Sequence, residues 1–248
     1  KTEIIHWVEL NEAQRDVYET MRLAMDKKVR DEITRKGVGR SQIIILEALL
    51  KLRQVCCDLR LVSDTPPKKG STSGKLDSLM LMLEELFAEG RRILLFSQFT
   101  SMLGLIEAEL QKRKVRYAIL TGQTRDRRAP VKDFQSGTLQ IFLISLKAGG
   151  VGLNLTEADT VIHYDPWWNP AAENQATDRA YRIGQEKPVF VYKMIARGTV
   201  EEKIQHLQQE KSDLAAGVLD GRIAGDWKLQ DDDIDALFAP LPPKIEKR

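Results

Sequence analysis

The chain has 248 residues, 42% of them apolar and 30% charged, with a formal net charge of +2. That is an ordinary soluble globular composition, with enough apolar material to fill a core. No apolar run approaches a membrane span, and the first residues, Lys1 to His6, lack the order of a secretory signal. The adjacent Cys56 and Cys57 suit neither a disulfide nor a zinc site, which points to a reduced, intracellular protein: nuclear in a eukaryote, cytoplasmic or nucleoid in a prokaryote.

Ile4 to Leu10 reads as a short strand, and Asn11-Glu12 starts a helix. From Ala13 to Val62 the pattern is mostly helical, with Val17, Met21 and Met25 at four-residue spacing and a break at Lys36 to Gly39. Ser63 to Gly74 carries Pro66, Pro67, Gly70 and Gly74 and reads as a loop. Strands and helices then alternate. Helices are expected at Leu76–Ala88, Ser101–Lys112, Asp126–Phe134, Ala171–Tyr181 and Thr199–Ala215. Strands are expected at Ile93–Ser97, Tyr117–Leu120, Gln140–Ser145, Thr160–Tyr164 and Val189–Ile195. This order predicts an α/β fold, a parallel sheet covered by helices on both faces. Three parts are expected: a strand and helical protrusion with linker over 1–74, the α/β lobe over 75–216, and a peripheral tail over 217–248 with a short helix near Asp233 to Phe238.

In parallel sheets ligands sit at the carboxyl ends of the strands, so the loops there carry the argument. After one strand comes Ser145-Leu146-Lys147-Ala148-Gly149-Gly150-Val151-Gly152-Leu153-Asn154-Leu155. Three glycines beside Lys147 suit close approach to phosphate oxygens, although a plain tight turn would read the same way. A dinucleotide fingerprint fails because Leu155 stands where Gly or Ala is needed. Asp165-Pro166-Trp167-Trp168-Asn169-Pro170 places two indoles between prolines at a strand end. Trp167 is expected in the core, and the other indole beside a nucleic acid. Arg179 and Arg182 are three apart, so on a helix both project from one face and suit a polyanion; surface ion pairing with Glu173 or Asp178 is the alternative. Basic residues cluster at Lys112 to Arg116 and at Arg125, Arg127 and Arg128, as a phosphate footprint or a solvated face.

Taken in order, these segments resemble the C-terminal RecA-like lobe of the SWI/SNF-type ATPases of helicase superfamily two, over nearly the whole chain. Leu49 to Cys56 resembles the family's helical protrusion, Gly74-Lys75-Leu76 its entry into the second lobe, and Ile93 to Phe99 its motif four. Leu120-Thr121-Gly122 with Asp126-Arg127 resembles the next segment, Ser145 to Leu155 motif five, and Gln175 to Gln185 motif six. The resemblance implies that Arg179 and Arg182 are arginine fingers and that Gly152, Asn154 and Gln175 approach ATP. It implies a double-stranded DNA track at Gln98, Phe99, Arg127, Ser145, Lys147 and Trp168. Two departures stand out: Leu146 replaces a common Thr, and Leu59 a common Pro.

Gly70-Ser71-Thr72-Ser73-Gly74-Lys75-Leu76 is one residue short of a phosphate loop and lacks its final Ser or Thr. The resemblance therefore implies that ATP and Mg2+ are held mainly by an N-terminal RecA-like lobe of the same parent chain, with duplex DNA and a DNA-bound protein as further partners and no membrane. A chain of this kind is expected to be inactive by itself. The alternative is a non-catalytic DNA-binding or regulatory module.

Overall fold

Ile93–Ser97, Ile141–Ser145 and Thr160–His163 are buried at every position. Strands covered on both faces run as near-continuous apolar segments, and these three form the centre of the sheet. The computed structural model describes residues 1–63, 70–148, 153–166, 170–180, 185–210 and 229–244. Its six strands are β1 (Thr2–Val8), β2 (Ile93–Ser97), β3 (Tyr117–Leu120), β4 (Ile141–Ser145), β5 (Thr160–His163) and β6 (Phe190–Ala196), in the order β1-β6-β5-β2-β4-β3. The pairings β2–β4, β2–β5, β3–β4 and β5–β6 are parallel, as the alternation predicts.

Side chains alternate across a sheet. Leu94, Phe96, Phe142, Ile144 and Val161 join Phe134, Leu155 and Ala176 in one buried cluster. Alternation then places Ser97 and Ser145 on the opposite face, side by side in register. The helices are α1 (Glu12–Lys36), α2 (Gln42–Cys57), α3 (Gly74–Ala88), α4 (Thr100–Lys112), α5 (Arg128–Gln135), α6 (Pro170–Thr177), α7 (Val200–Glu210) and α8 (Asp231–Leu237). None of the described helices is long and apolar enough to cross a membrane.

Two units form, with boundaries that differ from the expected three parts. The sheet unit takes Lys1–Val8, Leu76–Trp167 and Ala171–Ile195; the helical unit takes Glu9–Lys75, Trp168–Pro170 and Ala196–Arg248. The first strand, expected with the protrusion, joins the sheet edge beside β6, where Thr2 N–H donates to Val189 O at 2.9 Å. Helix α7, expected with the α/β lobe, belongs to the helical unit. Its Val200 and Ile204 pack in one core with Tyr18, Leu49 and Leu52, and Val200 N–H donates to the Tyr18 hydroxyl at 2.7 Å. Helix α8 is not a peripheral tail either: Ile234, Leu237 and Phe238 are buried in the same core. Cys56 and Cys57 are buried free thiols in this unit, and burial pushes the Cys56 thiol far above its usual range.

Local chemistry sets the entry to α1. Asn11 accepts from Gln14 N–H at 2.8 Å, and the Gln14 side chain accepts from Asn11 N–H, closing a capping box. The same Gln14 oxygen accepts from Gly74 N–H at 2.9 Å. A Cβ at Gly74 would sit 2.5 Å from Glu9 O, so glycine is required by the close approach of backbone. Leu59, where the family commonly has Pro, donates its N–H to Thr72 O at 3.0 Å, a bond proline is unable to make.

Candidate nucleotide and nucleic-acid interface

Gln98, Phe99, Ser145 and Lys147 lie at the carboxyl ends of β2 and β4. Ser97 ends β2 opposite Ser145, and Phe96 pairs with His163 at the end of β5. Two residues beyond, the buried Asp165 carboxylate accepts a short hydrogen bond from Ser97 Oγ and a second from Gln98 N–H at 2.9 Å. Ser97 Oγ in turn accepts from Phe99 N–H at 3.1 Å, and Leu146 N–H donates to Ser97 O at 3.2 Å. One carboxylate thus fixes the Gln98-Phe99 turn, and the β4 exit is tied to the same point.

The exposed side chain here is Lys147; Gln98 is half-buried, while Phe99 and Ser145 are buried. Ser145 Oγ is buried with no hydrogen-bond partner among the described residues. Arg127 is half-buried and directly precedes α5. That helix begins at Arg128, not at Asp126, because Asp126 Oδ1 accepts from Arg128 N–H at 2.9 Å and makes a local turn first.

The arginine segment differs from the expected helix. Helix α6 ends at Thr177, so Arg179 lies beyond it and does not share its face. Arg179 N–H turns back to Ala176 O and Ala180 N–H to Thr177 O, both tight three-residue closures. Its carbonyl is taken by Leu155 N–H at 3.1 Å, a tertiary bond that competes with helix continuation. Arg179 is 3% exposed. Asn154 and Gln175 are exposed, and Asn154 O accepts from the Gln135 side chain at 2.9 Å. Gly152, Trp167, Trp168 and Arg182 lie outside the described residues.

Comparison with known proteins bears on this arrangement. Residues 74–184 match the helicase conserved C-terminal domain. The chain is 47% identical over 156 residues to the chromatin-remodelling ATPase INO80 of Aspergillus oryzae, covering 62% of this chain and 11% of that protein. It is 35% identical over 216 residues to an uncharacterised ATP-dependent helicase of Mycoplasma genitalium, covering 86% and 20%. The SWI2/SNF2 ATPase core of Sulfolobus solfataricus in complex with double-stranded DNA superposes with a TM-score of 0.76 at 31% identity, covering 95% of this chain and 49% of that one. The C-terminal domain of that ATPase superposes at 0.71 with 28% identity, covering 98% and 99%. The matched domain, these relatives and these superpositions support a C-terminal RecA-like lobe of the SWI/SNF type within helicase superfamily two. The chain spans a fifth or less of the length of the two curated relatives named here.

Within the lobe, the phosphate-loop decoy is a structural feature of the helical unit. Lys75 Nζ is fully buried and lies 2.8 and 2.7 Å from the two oxygens of buried Glu201. Glu201 also accepts from Ala196 N–H at 2.8 Å. Neither this pairing nor the Asp165 anchor was visible in the sequence. Asp165 carried one signal, an acidic residue directly after a buried strand; Glu201 carried none, lying 126 positions from its partner.

His163 is expected to make the sheet unit acid-sensitive. Its ring is fully buried, stacks on Phe96 at 5.5 Å, and shares a 3.1 Å hydrogen bond with Thr177 Oγ1. Burial pushes its pKa down to about 4, with nearby Glu173 and Glu3 pulling upward and Lys193 and Lys1 downward. The folded value lies below the unfolded one, so this contribution is full above about pH 6.5 and is lost as pH falls toward 4. The loss is expected to approach about 3 kcal/mol. Denaturant melts of wild type and His163→Gln test this. The variant is expected to lose less stability on acidification, and equal losses would contradict the assignment.

Proposed function

We propose that this lobe is the second motor half of an ATP-dependent double-stranded DNA translocase. The observation that carries the reading is the meeting of two family segments at the carboxyl ends of β2 and β4, Gln98-Phe99 and Ser145 to Lys147, tied by Leu146 N–H to Ser97 O. The relative solved with double-stranded DNA supports a duplex as the polymer.

Lys147 supplies charge to the DNA backbone, and Gln98 and Arg127 supply polar contacts. Ser145 and Phe99 are buried, and their part is to hold the loops that carry those groups. Trp168 is assigned to the groove. Such contacts are mostly to phosphate, so binding is expected to be salt-sensitive and largely independent of sequence.

Asn154, Gln175 and Gly152 are assigned to the nucleotide side, with Arg179 and Arg182 completing the site. Arginines in that role gain charge-assisted bonds to a γ-phosphoryl group only when two lobes close. For Arg179, closure means exchanging its present buried surroundings for phosphate. Hydrolysis removes that difference and lets the lobes part, and duplex held by both lobes advances over repeated cycles.

Lys75 is committed to Glu201, and no three His, Cys, Asp or Glu come together as metal ligands among the described residues. The phosphate grip and Mg2+ are therefore assigned to an N-terminal lobe of the parent chain. Mg2+ there would neutralise charge on the transferring phosphoryl group. The test is whether duplex DNA raises ATP hydrolysis by the full-length protein. A rate indifferent to DNA would overturn the reading.

A further inference from the structure

Gln185 is absorbed by none of the roles above, yet its side chain sits where two of the functional segments meet. Its Nε2 lies 2.7 Å from Thr156 O, 2.9 Å from Ala158 O and 2.9 Å from Ala180 O. Its Oε1 accepts from Lys187 N–H at 3.0 Å. Thr156 and Ala158 follow the glycine loop; Ala180 follows Arg179. The same two segments share the main-chain bond from Leu155 N–H to Arg179 O at 3.1 Å. The surroundings are closed: Leu155, Ala158 and Ala180 are all buried with no exposed surface.

A primary amide fits this place for a chemical reason. Three carbonyls converge on one point, and carbonyls only accept. The amide nitrogen offers two hydrogens, enough to serve three acceptors if one bond is shared. Removing the donor leaves partly buried carbonyls facing one another, and each unmet acceptor is unfavourable.

We propose that Gln185 is a positioning residue that locks the glycine-loop exit to the arginine turn, so that the two segments move as one body. Its consequence for catalysis rests on the motor-lobe reading; the lock itself does not. The role assigned to Gln185 needs no contact with ATP or DNA. Gln185 acts through the place it gives Arg179 and the Asn154-Leu155 segment. Small misplacement of a catalytic group lowers turnover far more than it lowers substrate affinity.

Four variants of the full-length protein test this: Gln185→Ala, isosteric Gln185→Glu, which has no donor when ionised, Gln185→Lys, which restores donors, and Arg179→Lys. Amide hydrogen exchange at Leu155 reads the lock directly. It is expected to quicken about tenfold or more in the Ala and Glu variants and to return toward wild type in the Lys variant. Unchanged exchange at Leu155 in both donor-less variants would overturn the proposal, whatever the protein hydrolyses. For turnover, kcat is expected to fall about tenfold or more in the Ala and Glu variants with KM for ATP nearly constant. Combining Gln185→Ala with Arg179→Lys is expected to add little to the loss from Arg179→Lys alone. Fully multiplicative losses, or a loss of kcat that merely follows the unfolded fraction at the assay temperature, would also overturn it. Quickened exchange in a protein with no DNA-stimulated hydrolysis would support the lock and count against the motor-lobe reading instead.

Discussion

Replacing Arg179 or Arg182 by Ala in the full-length protein is expected to lower ATP turnover by about a thousandfold or more while duplex-DNA affinity stays close to wild type. Arginine fingers act on charge that develops in the transferring phosphoryl group, so their removal appears in kcat, not in DNA binding. Arg179 is 3% exposed and follows the end of α6, so its loss also disturbs packing. Arg179→Lys separates the two effects. A lysine keeps the charge and most of the aliphatic stem but loses the planar fork that grips phosphate oxygens. A folded Arg179→Lys protein with strongly reduced kcat supports the finger role. Wild-type turnover in either Ala variant rules it out for that residue. Steady-state hydrolysis paired with thermal melting makes the distinction.

The second large effect belongs to Lys75. Substituting Met leaves the Glu201 carboxylate buried without its countercharge, and breaking such a pair from one side costs about 3 to 5 kcal/mol. That is a large part of the stability of an ordinary domain. The double variant Lys75→Met/Glu201→Met removes both charges and is expected to recover much of the loss, though Ala196 N–H then loses its acceptor. Burial opposes the Lys75 charge, yet Glu201 more than offsets it and holds the pKa above the ordinary lysine value. The folded pKa is the higher one, so the contribution is complete below about pH 10.4 and fades only in alkali. A phosphate-gripping lysine would behave differently: its Met variant would fold normally and lose ATP affinity. Denaturant midpoints and ATP binding on the same variants decide between the two. A stable Lys75→Met protein would contradict the structural role.

Much of the sheet was legible because its physics is local. Ile93–Ser97 and Tyr117–Leu120 are strands over the residues expected, since short apolar runs bounded by turns leave little choice. Helix ends were less so. Periodicity carries α6 through Tyr181, but the described helix stops at Thr177, where Arg179 N–H and Ala180 N–H close tight turns onto Ala176 O and Thr177 O and Leu155 N–H takes the Arg179 carbonyl. The competing group lies 24 residues away, beyond reach of any helical pattern. The fate of α7 has the same origin: its amphipathic stripe is plain, while the choice between two cores depends on Tyr18 and α2. At the candidate site, the loops were found from strand ends and glycines. The side chains that hold those loops, Asp165 and Gln185, emerge only when distant backbone groups converge on them.

Steady-state ATP hydrolysis, measured with and without duplex DNA for residues 1–248 alone and for the full-length protein, is the most direct check on the motor-lobe reading. The account predicts no turnover by the lobe alone and DNA-stimulated turnover by the full-length protein. ATP hydrolysis by the isolated lobe, or a full-length rate that duplex DNA leaves unchanged, would contradict it.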